Sequence, residues 1–222
     1  MAHRRSRYFM EVPKLKQMLA RGAESVIYKI DQWGFPFVLK WRQEKPYLLK
    51  DIDSQLRRSR TSRECKMLTI SRTLGVPTPA VYSVDLDNHT ILMDFIAGTQ
   101  FKQLAGQLSQ STLISLCHRF GRLIALLHAG DVVHGDPTTS NVIVDEKSRL
   151  WIVDFGLSEM NATIEMKGVD LHLIHRALET THWDIQEDML DATLEGYVDL
   201  LGNTAEPTLS RMNEIRERGR YH

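Results

Sequence analysis

His134-Gly135-Asp136-Pro137-Thr138-Thr139-Ser140-Asn141, followed after two short apolar runs by Asp154-Phe155-Gly156, is the stretch on which the reading of this chain turns. The runs are Val142-Ile143-Val144 and Leu150-Trp151-Ile152-Val153, and Asp145-Glu146-Lys147-Ser148-Arg149 joins them. Apolar β-formers on both sides of a polar turn predict a β-hairpin set between two loops. Such a hairpin brings Asn141 and Asp154, which flank it, to the same end of two paired strands. Two oxygen donors arriving together suit a hard divalent cation such as Mg2+. Asp136, on the preceding loop, would then face a hydroxyl or a water. Ordinary turn chemistry also places Asn and Asp at hairpin ends, so the weight lies in the two halves occurring together.

The pattern matches the protein-kinase signature H-x-D-x-x-x-x-N followed by D-F-G. Phosphoryl transfer needs positioning, metal ions and charge neutralisation more than covalent chemistry by the protein. In that scheme Asp136 orients or deprotonates the acceptor, while Asn141 and Asp154 hold Mg2+ on the phosphates of ATP.

Working outward toward the N-terminus, Lys16 to Ala20, Ser25 to Asp31 and Phe35 to Trp41 are strand candidates, the last two separated by a turn at Trp33-Gly34. The bend Arg21-Gly22-Ala23-Glu24-Ser25 would cover the triphosphate in a kinase-like lobe, with Gly22, Ala23 and Glu24 close to the nucleotide. Backbone N–H groups approach phosphate most easily where a glycine lacks a side chain. The bend is not G-x-G-x-x-G, and alone it reads as a hairpin turn. Lys40, near the end of the third strand, resembles the strand lysine that meets the α- and β-phosphates. Without the downstream motifs it would be the solvent-facing member of an alternating strand.

Residues 47–74 predict a long helix. Leu49, Ile52 and Leu56 are expected to form its apolar face, resumed by Met67, Leu68, Ile70 and Leu74. Arg57, Arg58, Arg60 and Arg63 must be solvated or paired. Glu64 shares the face of Met67 and Leu68. A buried carboxylate needs a partner, and Lys40 is the expected one, with Arg60 or Lys66 as the surface alternative. Gly75-Val76-Pro77-Thr78-Pro79 stops the helix. Strands at Ala80 to Asp85 and Thr90 to Phe95 follow. Met93-Asp94-Phe95-Ile96-Ala97-Gly98 then reads as a hinge, with Met93, Asp94 and Ile96 expected along the adenine edge. Ser111 to His128 predicts an amphipathic helix capped by Ser111, with His128 at its end. Helices at Gly168 to Thr181, Ile185 to Leu201 and Pro207 to Arg218 complete the chain.

The bulk numbers exclude little. The 222 residues carry 28 Lys+Arg and 28 Asp+Glu, so net charge selects no partner. Two cysteines, Cys65 and Cys117, in helical patterns argue against a disulfide scaffold and for a reducing compartment. The basic start, through Arg4, Arg5 and Arg7, lacks the apolar segment of a secretory signal. A cytoplasmic protein is expected, with nuclear residence open.

The departures from ordinary protein kinases form a pattern. Gly135 stands where an arginine often precedes the catalytic Asp, Thr138 replaces a lysine, and no A-P-E follows Gly156. Together with Asp154 to Ser158, Lys167 to Leu171, Arg176-Ala177, Arg216-Glu217-Arg218-Gly219-Arg220, Arg21 to Glu24 and Arg57 to Glu64, they resemble the PRPK-like atypical kinases. These are the small kinase/ATPase subunit of the KEOPS (EKC) complex. The resemblance covers residues 16 to 222. It implies an α+β fold, a miniature bilobal protein-kinase-like structure without an activation segment: an N-lobe at 1–96, a reduced helical C-lobe at 97–204 and a basic tail at 205–222. It further implies Ser/Thr kinase activity in isolation and ATPase activity in a complex that makes threonylcarbamoyladenosine in tRNA. The implied partners are the threonylcarbamoyl-transferase subunit and a small regulatory subunit on the N-lobe. Asp170 would brace the catalytic loop, and the tail, with Arg211, Arg216, Arg218, Arg220 and Tyr221, would reach the transferase site or tRNA. A small-molecule phosphotransferase of the aminoglycoside or choline type shares H-G-D…N but usually carries a larger C-lobe. A nucleotide-binding scaffold without catalysis would be expected to have lost one of Lys40, Asp136, Asn141 or Asp154.

Overall fold

The computed structural model describes residues 16–219. The basic start at Arg4, Arg5 and Arg7, and Arg220 and Tyr221 at the other end, lie outside the described residues. The N-terminal lobe is an antiparallel sheet of β1 (Lys16–Arg21), β2 (Val26–Gln32), β3 (Phe35–Trp41), β4 (Val81–Asp85) and β5 (Thr90–Asp94), in the order β1-β2-β3-β5-β4. Alternation along β3 dictates its central place: Phe37 faces a small core with Ile30 and Leu92, and Lys40 pairs in register with Ile27 on one side and Ile91 on the other.

One long helix, α1 (Lys50–Thr73), packs on this sheet. Its inward residues correct the expected face. Leu49, Ile52 and Leu56 are exposed, whereas Asp53, Thr61, Glu64, Met67, Leu68 and Ser71 are buried. The first half of the helix faces the β3–α1 connection, a polar surface: the Asp53 carboxylate accepts from Lys45 N at 3.2 Å and from Arg57 Nε at 2.6 Å. The arginine run is consumed locally. Arg57 pairs with Asp53, Arg58 with Asp87, Arg60 with Glu24 and Arg63 with Glu159.

The second lobe opens with β6 (Gly98–Gln100) and the short α2 (Phe101–Leu104). Its main helix, α3 (Gln110–Ala129), buries Leu113, Leu116, Cys117, Phe120, Ile124 and Leu127 along one face. The cap is Ser109, whose hydroxyl accepts from Thr112 N at 3.3 Å, and not Ser111. His128 is no mere helix end; it is buried. After β7 (Val132–Val133) comes the predicted hairpin, β8 (Val142–Asp145) and β9 (Leu150–Ile152), with β6 added to the free side of β8. A brief β10 (Glu159–Met160) pairs back onto β7.

Three helices close the lobe: α4 (Ile164–Thr181), α5 (Gln186–Leu201) and α6 (Glu206–Gly219). The first starts four residues before the expected Gly168, because Thr163 caps it by accepting from Met166 N. Backbones of α3 and α5 come together at Gly121 and Gly196. A Cβ on Gly121 would lie 1.8 Å from the Thr193 carbonyl oxygen. The expected separate tail is not separate through Gly219: α6 packs along α4, with Thr208 and Met212 buried. Apolar residues of α6 recur at helical spacing (Leu209, Met212, Ile215) among many charges, and only the neighbouring α4 decides that they are covered.

Candidate active site

β3 carries Lys40, and Arg42, the first residue past its end, falls on the same face, since residues two apart in extended chain point the same way. Both reach Glu64 of α1. Lys40 Nζ lies 2.7 Å from Glu64 Oε1, and Arg42 Nη2 lies 2.6 Å from Glu64 Oε2. Lys40 Nζ also donates to Asp154 Oδ1 at 2.7 Å, so three elements far apart in the chain meet at one ammonium. The Glu64 side chain is 1% exposed, while that of Asp154 is 44% exposed. Asp154 has φ 63°, a left-handed backbone rare outside glycine, which turns its carboxylate back toward Lys40. Burial acts to raise the Asp154 pKa, but the ammonium of Lys40, its hydrogen bond and the Arg42 guanidinium outweigh it and hold the carboxyl below the usual range.

The loop before the hairpin is held from beneath. Asp170 of α4, 1% exposed, accepts from His134 N at 2.7 Å through Oδ2 and from Gly135 N at 2.8 Å through Oδ1. Gly135 has φ +81°, and a Cβ there would lie 2.4 Å from the Leu157 carbonyl oxygen, so both conformation and space require glycine. The His134 ring bridges the two loops: Nδ1 accepts from Asp136 N at 3.2 Å, which leaves the proton on Nε2 to be donated to the Val153 carbonyl at 3.1 Å. Below Asp170, His128 Nε2 lies 3.3 Å from Oδ2 and His128 Nδ1 lies 2.9 Å from the Tyr197 hydroxyl. Burial pushes the Tyr197 phenol up to about 12, so it stays protonated and can donate to His128.

Asn141 Nδ2 donates to both the carbonyl and Oδ2 of Asp136 at 2.9 Å. The hairpin joins this corner to the other: Val153 N donates to the Asn141 carbonyl at 2.9 Å, one step beyond the Val142–Ile152 pair. With its amide nitrogen committed to Asp136, Asn141 has its amide oxygen left for a cation.

Between the lobes lies a cavity of about 470 Å³, within the range of small-molecule sites. Ala20, Ile27 and Val38 line it from the sheet, Ile143 and Val153 from the hairpin, and Lys40, Glu64 and Asp154 form its polar end. Met93, Asp94 and Ile96, expected along an adenine edge, line it where β5 leads into the second lobe. The Asp94 carboxylate itself is turned to Ala80 N at 2.9 Å and the Tyr82 hydroxyl at 2.8 Å, so its part in the hinge is to brace the strand ends. Gly22, Ala23 and Glu24 do not line this cavity; Leu19 and Ala20 do. Gly22 N closes a tight turn onto the Ser25 carbonyl at 2.9 Å, and Glu24 is drawn away by Arg60 and Lys45. Sequence reading assigns no role to Arg42 or Tyr197, and His128 reads there as a helix end. For Arg42 the signal was present, a second cation two positions after Lys40.

The RIO domain family matches residues 27–181, a span that holds Lys40, Arg42, Glu64, Asp136, Asn141, Asp154 and Asp170. The chain is 37% identical over 212 residues to the KEOPS complex subunit Bud32 of Pyrococcus abyssi, covering 92% of this chain and 96% of that one. It is also 37% identical over 204 residues to the probable bifunctional tRNA threonylcarbamoyladenosine biosynthesis protein of Methanobrevibacter smithii, and 36% over 219 residues to that of Methanothermobacter thermautotrophicus. Those matches take in 92% and 98% of this chain but only 36% and 39% of the bifunctional proteins. The chain therefore belongs to the RIO-domain family, a protein-kinase-like family, in the group typified by Bud32.

Proposed function

We propose that the chain is an ATP- and Mg2+-dependent Ser/Thr kinase or ATPase that supports threonylcarbamoyladenosine modification of tRNA as a subunit of a KEOPS assembly. The observation that carries the chemistry is the convergence of Lys40, Glu64 and Asp154 at the polar end of the interlobe cavity. The relatives' names supply the biological setting.

The donor set suits a hard cation. Asp154 offers an ionised, half-exposed carboxylate and Asn141 an amide oxygen, and Mg2+ is usually held by one or two carboxylates plus substrate phosphates. When bound, Mg2+ would supply charge neutralisation on the transferring phosphoryl group. The remaining work falls to the chain. Lys40 gives its ammonium to the phosphates, and Glu64 orients it. Asp136, steadied by Asn141, receives the proton of an attacking hydroxyl or water. The hinge backbone from Met93 to Ile96 meets the base.

Partners follow the same reading: a threonylcarbamoyl-transferase subunit and a small regulatory subunit on the N-lobe, with tRNA near the end of α6. In the bifunctional relatives this chain corresponds to about a third of one polypeptide, which supports a lasting association with a second functional unit. No described helix is long and apolar enough to cross a membrane, and we place the work in the cytoplasm, with a nuclear fraction allowed. The test is phosphate release from Mg-ATP, alone and with the transferase subunit. Release that rises with the partner and vanishes in Asp154→Ala supports a coupled ATPase; phosphate incorporated into protein supports the kinase arm. Absence of both, with the partner present, refutes the proposal.

A further inference from the structure

Lys40 serves two carboxylates at 2.7 Å. In the reaction proposed above it must also serve phosphate, while Asp154 turns to a cation. Glu64, which is 1% exposed, would then be a buried carboxylate whose lysine is shared. An uncompensated buried charge is strongly unfavourable. Arg42 removes the difficulty. Its Nη2 lies 2.6 Å from Glu64 Oε2, the oxygen Lys40 does not use, and its side chain is 3% exposed.

Two further hydrogen bonds pin Arg42, and Gly156 leaves room for its guanidinium. Its backbone N donates to the His89 carbonyl at 3.0 Å, and its carbonyl accepts from Arg57 Nη1 at 3.5 Å. A Cβ on Gly156 would fall 2.8 Å from Arg42 Nη2 and 3.3 Å from Asp154 Oδ1. The guanidinium is therefore packed against the turn that carries Asp154 while it holds Glu64. Its Nε and Nη1 find no hydrogen-bond partner among the described residues. A buried ion pair with unused donors is a poor source of stability, so the arrangement is better explained by placement.

We infer that Arg42 is a positioning residue: it keeps Glu64, and through Glu64 the Lys40 ammonium, in place while Lys40 is engaged by the nucleotide. The inference rests on the proposed phosphotransfer reading. It predicts that α1 stays docked through the cycle, because Glu64 never depends on Lys40 alone.

The test is a double-mutant cycle on the full chain, reading phosphate release from Mg-ATP and binding of a fluorescent ATP analogue. Arg42→Gln should lower kcat by about tenfold or more while shifting the KM for ATP by less than about threefold. Arg42→Lys should recover part of the loss, since an ammonium can meet the same oxygen but cannot also cover Gly156. In a Glu64→Gln background, Arg42→Gln should cost less than about twofold further, because the residue acts through Glu64. Equal losses in both backgrounds, or an unchanged kcat, would overturn the assignment. Should Arg42→Gln fail to fold, Arg42→Lys with and without Glu64→Gln carries the same cycle. No turnover by the unsubstituted chain with its partner would refute the proposed function and this assignment together. Turnover that ignores Arg42 would refute the assignment alone.

Discussion

Changing Asp170 to asparagine alters one atom's chemistry and almost nothing of its shape, yet it should loosen the whole loop from His134 to Asn141. Both carboxylate oxygens are used: Oδ2 takes His134 N and faces His128, and Oδ1 takes Gly135 N. An amide offers one acceptor in place of two. Whichever way it is turned, its NH2 group must face a buried backbone N–H. A buried donor left without its acceptor costs about 1–3 kcal/mol, and a hydrogen bond to a charged group is worth about 1.5–3 kcal/mol. The loss should be about 3 kcal/mol, well short of the roughly 5–15 kcal/mol that holds a typical domain together. At about 2–4 °C per kcal/mol for a chain of this length, Tm should fall by about 6–12 °C. Because His134 and Gly135 lead directly into Asp136, a displacement of about 1 Å there should lower turnover up to about 100-fold at temperatures where the variant is folded. Differential scanning calorimetry and phosphate release from Mg-ATP measure both effects. A Tm change under about 2 °C with turnover intact would mean that the loop does not depend on Asp170.

Other perturbations probe other levels of the structure. Gly121→Ala places a methyl group 1.8 Å from the Thr193 carbonyl oxygen, so α3 and α5 must separate; a loss of about 3 kcal/mol or more in urea unfolding is expected, and a loss below about 1 kcal/mol would mean the crossing is slack. Met212→Ala removes a buried anchor of α6 and should cost about 2–4 kcal/mol, whereas a separable tail would show no change in unfolding midpoint. His89, His172 and His182 are all held below the ordinary histidine pKa, chiefly by burial. Below about pH 6.5 the unfolded chain therefore takes up protons that the folded chain refuses, and stability should fall as pH drops from about 7 toward 5.5. Asp154, whose carboxyl is depressed, acts in a lower window: its contribution is present above about pH 4 and is lost as pH falls through its folded pKa. A urea midpoint unchanged between pH 7 and 5.5 would refute the histidine argument. His182 sits on the loop through Thr139 Oγ1, 3.0 Å from its Nε2, so His182→Gln should shallow that slope.

The sequence by itself carried the polar loop from His134 to Asn141, the hairpin that joins it to Asp154, the strand Phe35–Trp41 with Lys40 and the amphipathic character of α3. Each of these is local: alternation, helical spacing and turn residues act over a few positions, through covalent geometry and short-range hydrogen bonds. Tertiary structure decided what distance along the chain conceals. Glu64 finds Lys40 across 24 positions, and Lys40 finds Asp154 across 114. The outward turn of Leu49, Ile52 and Leu56 depends on Asp53 having a polar loop to face, which helical periodicity does not encode. Glu24 stays out of the interlobe cavity because Arg60 and Lys45 hold it elsewhere. Arg42, His128 and Tyr197 gain their roles only where separate elements bury them together, since a charge or a ring acquires its meaning from the partners that replace water around it.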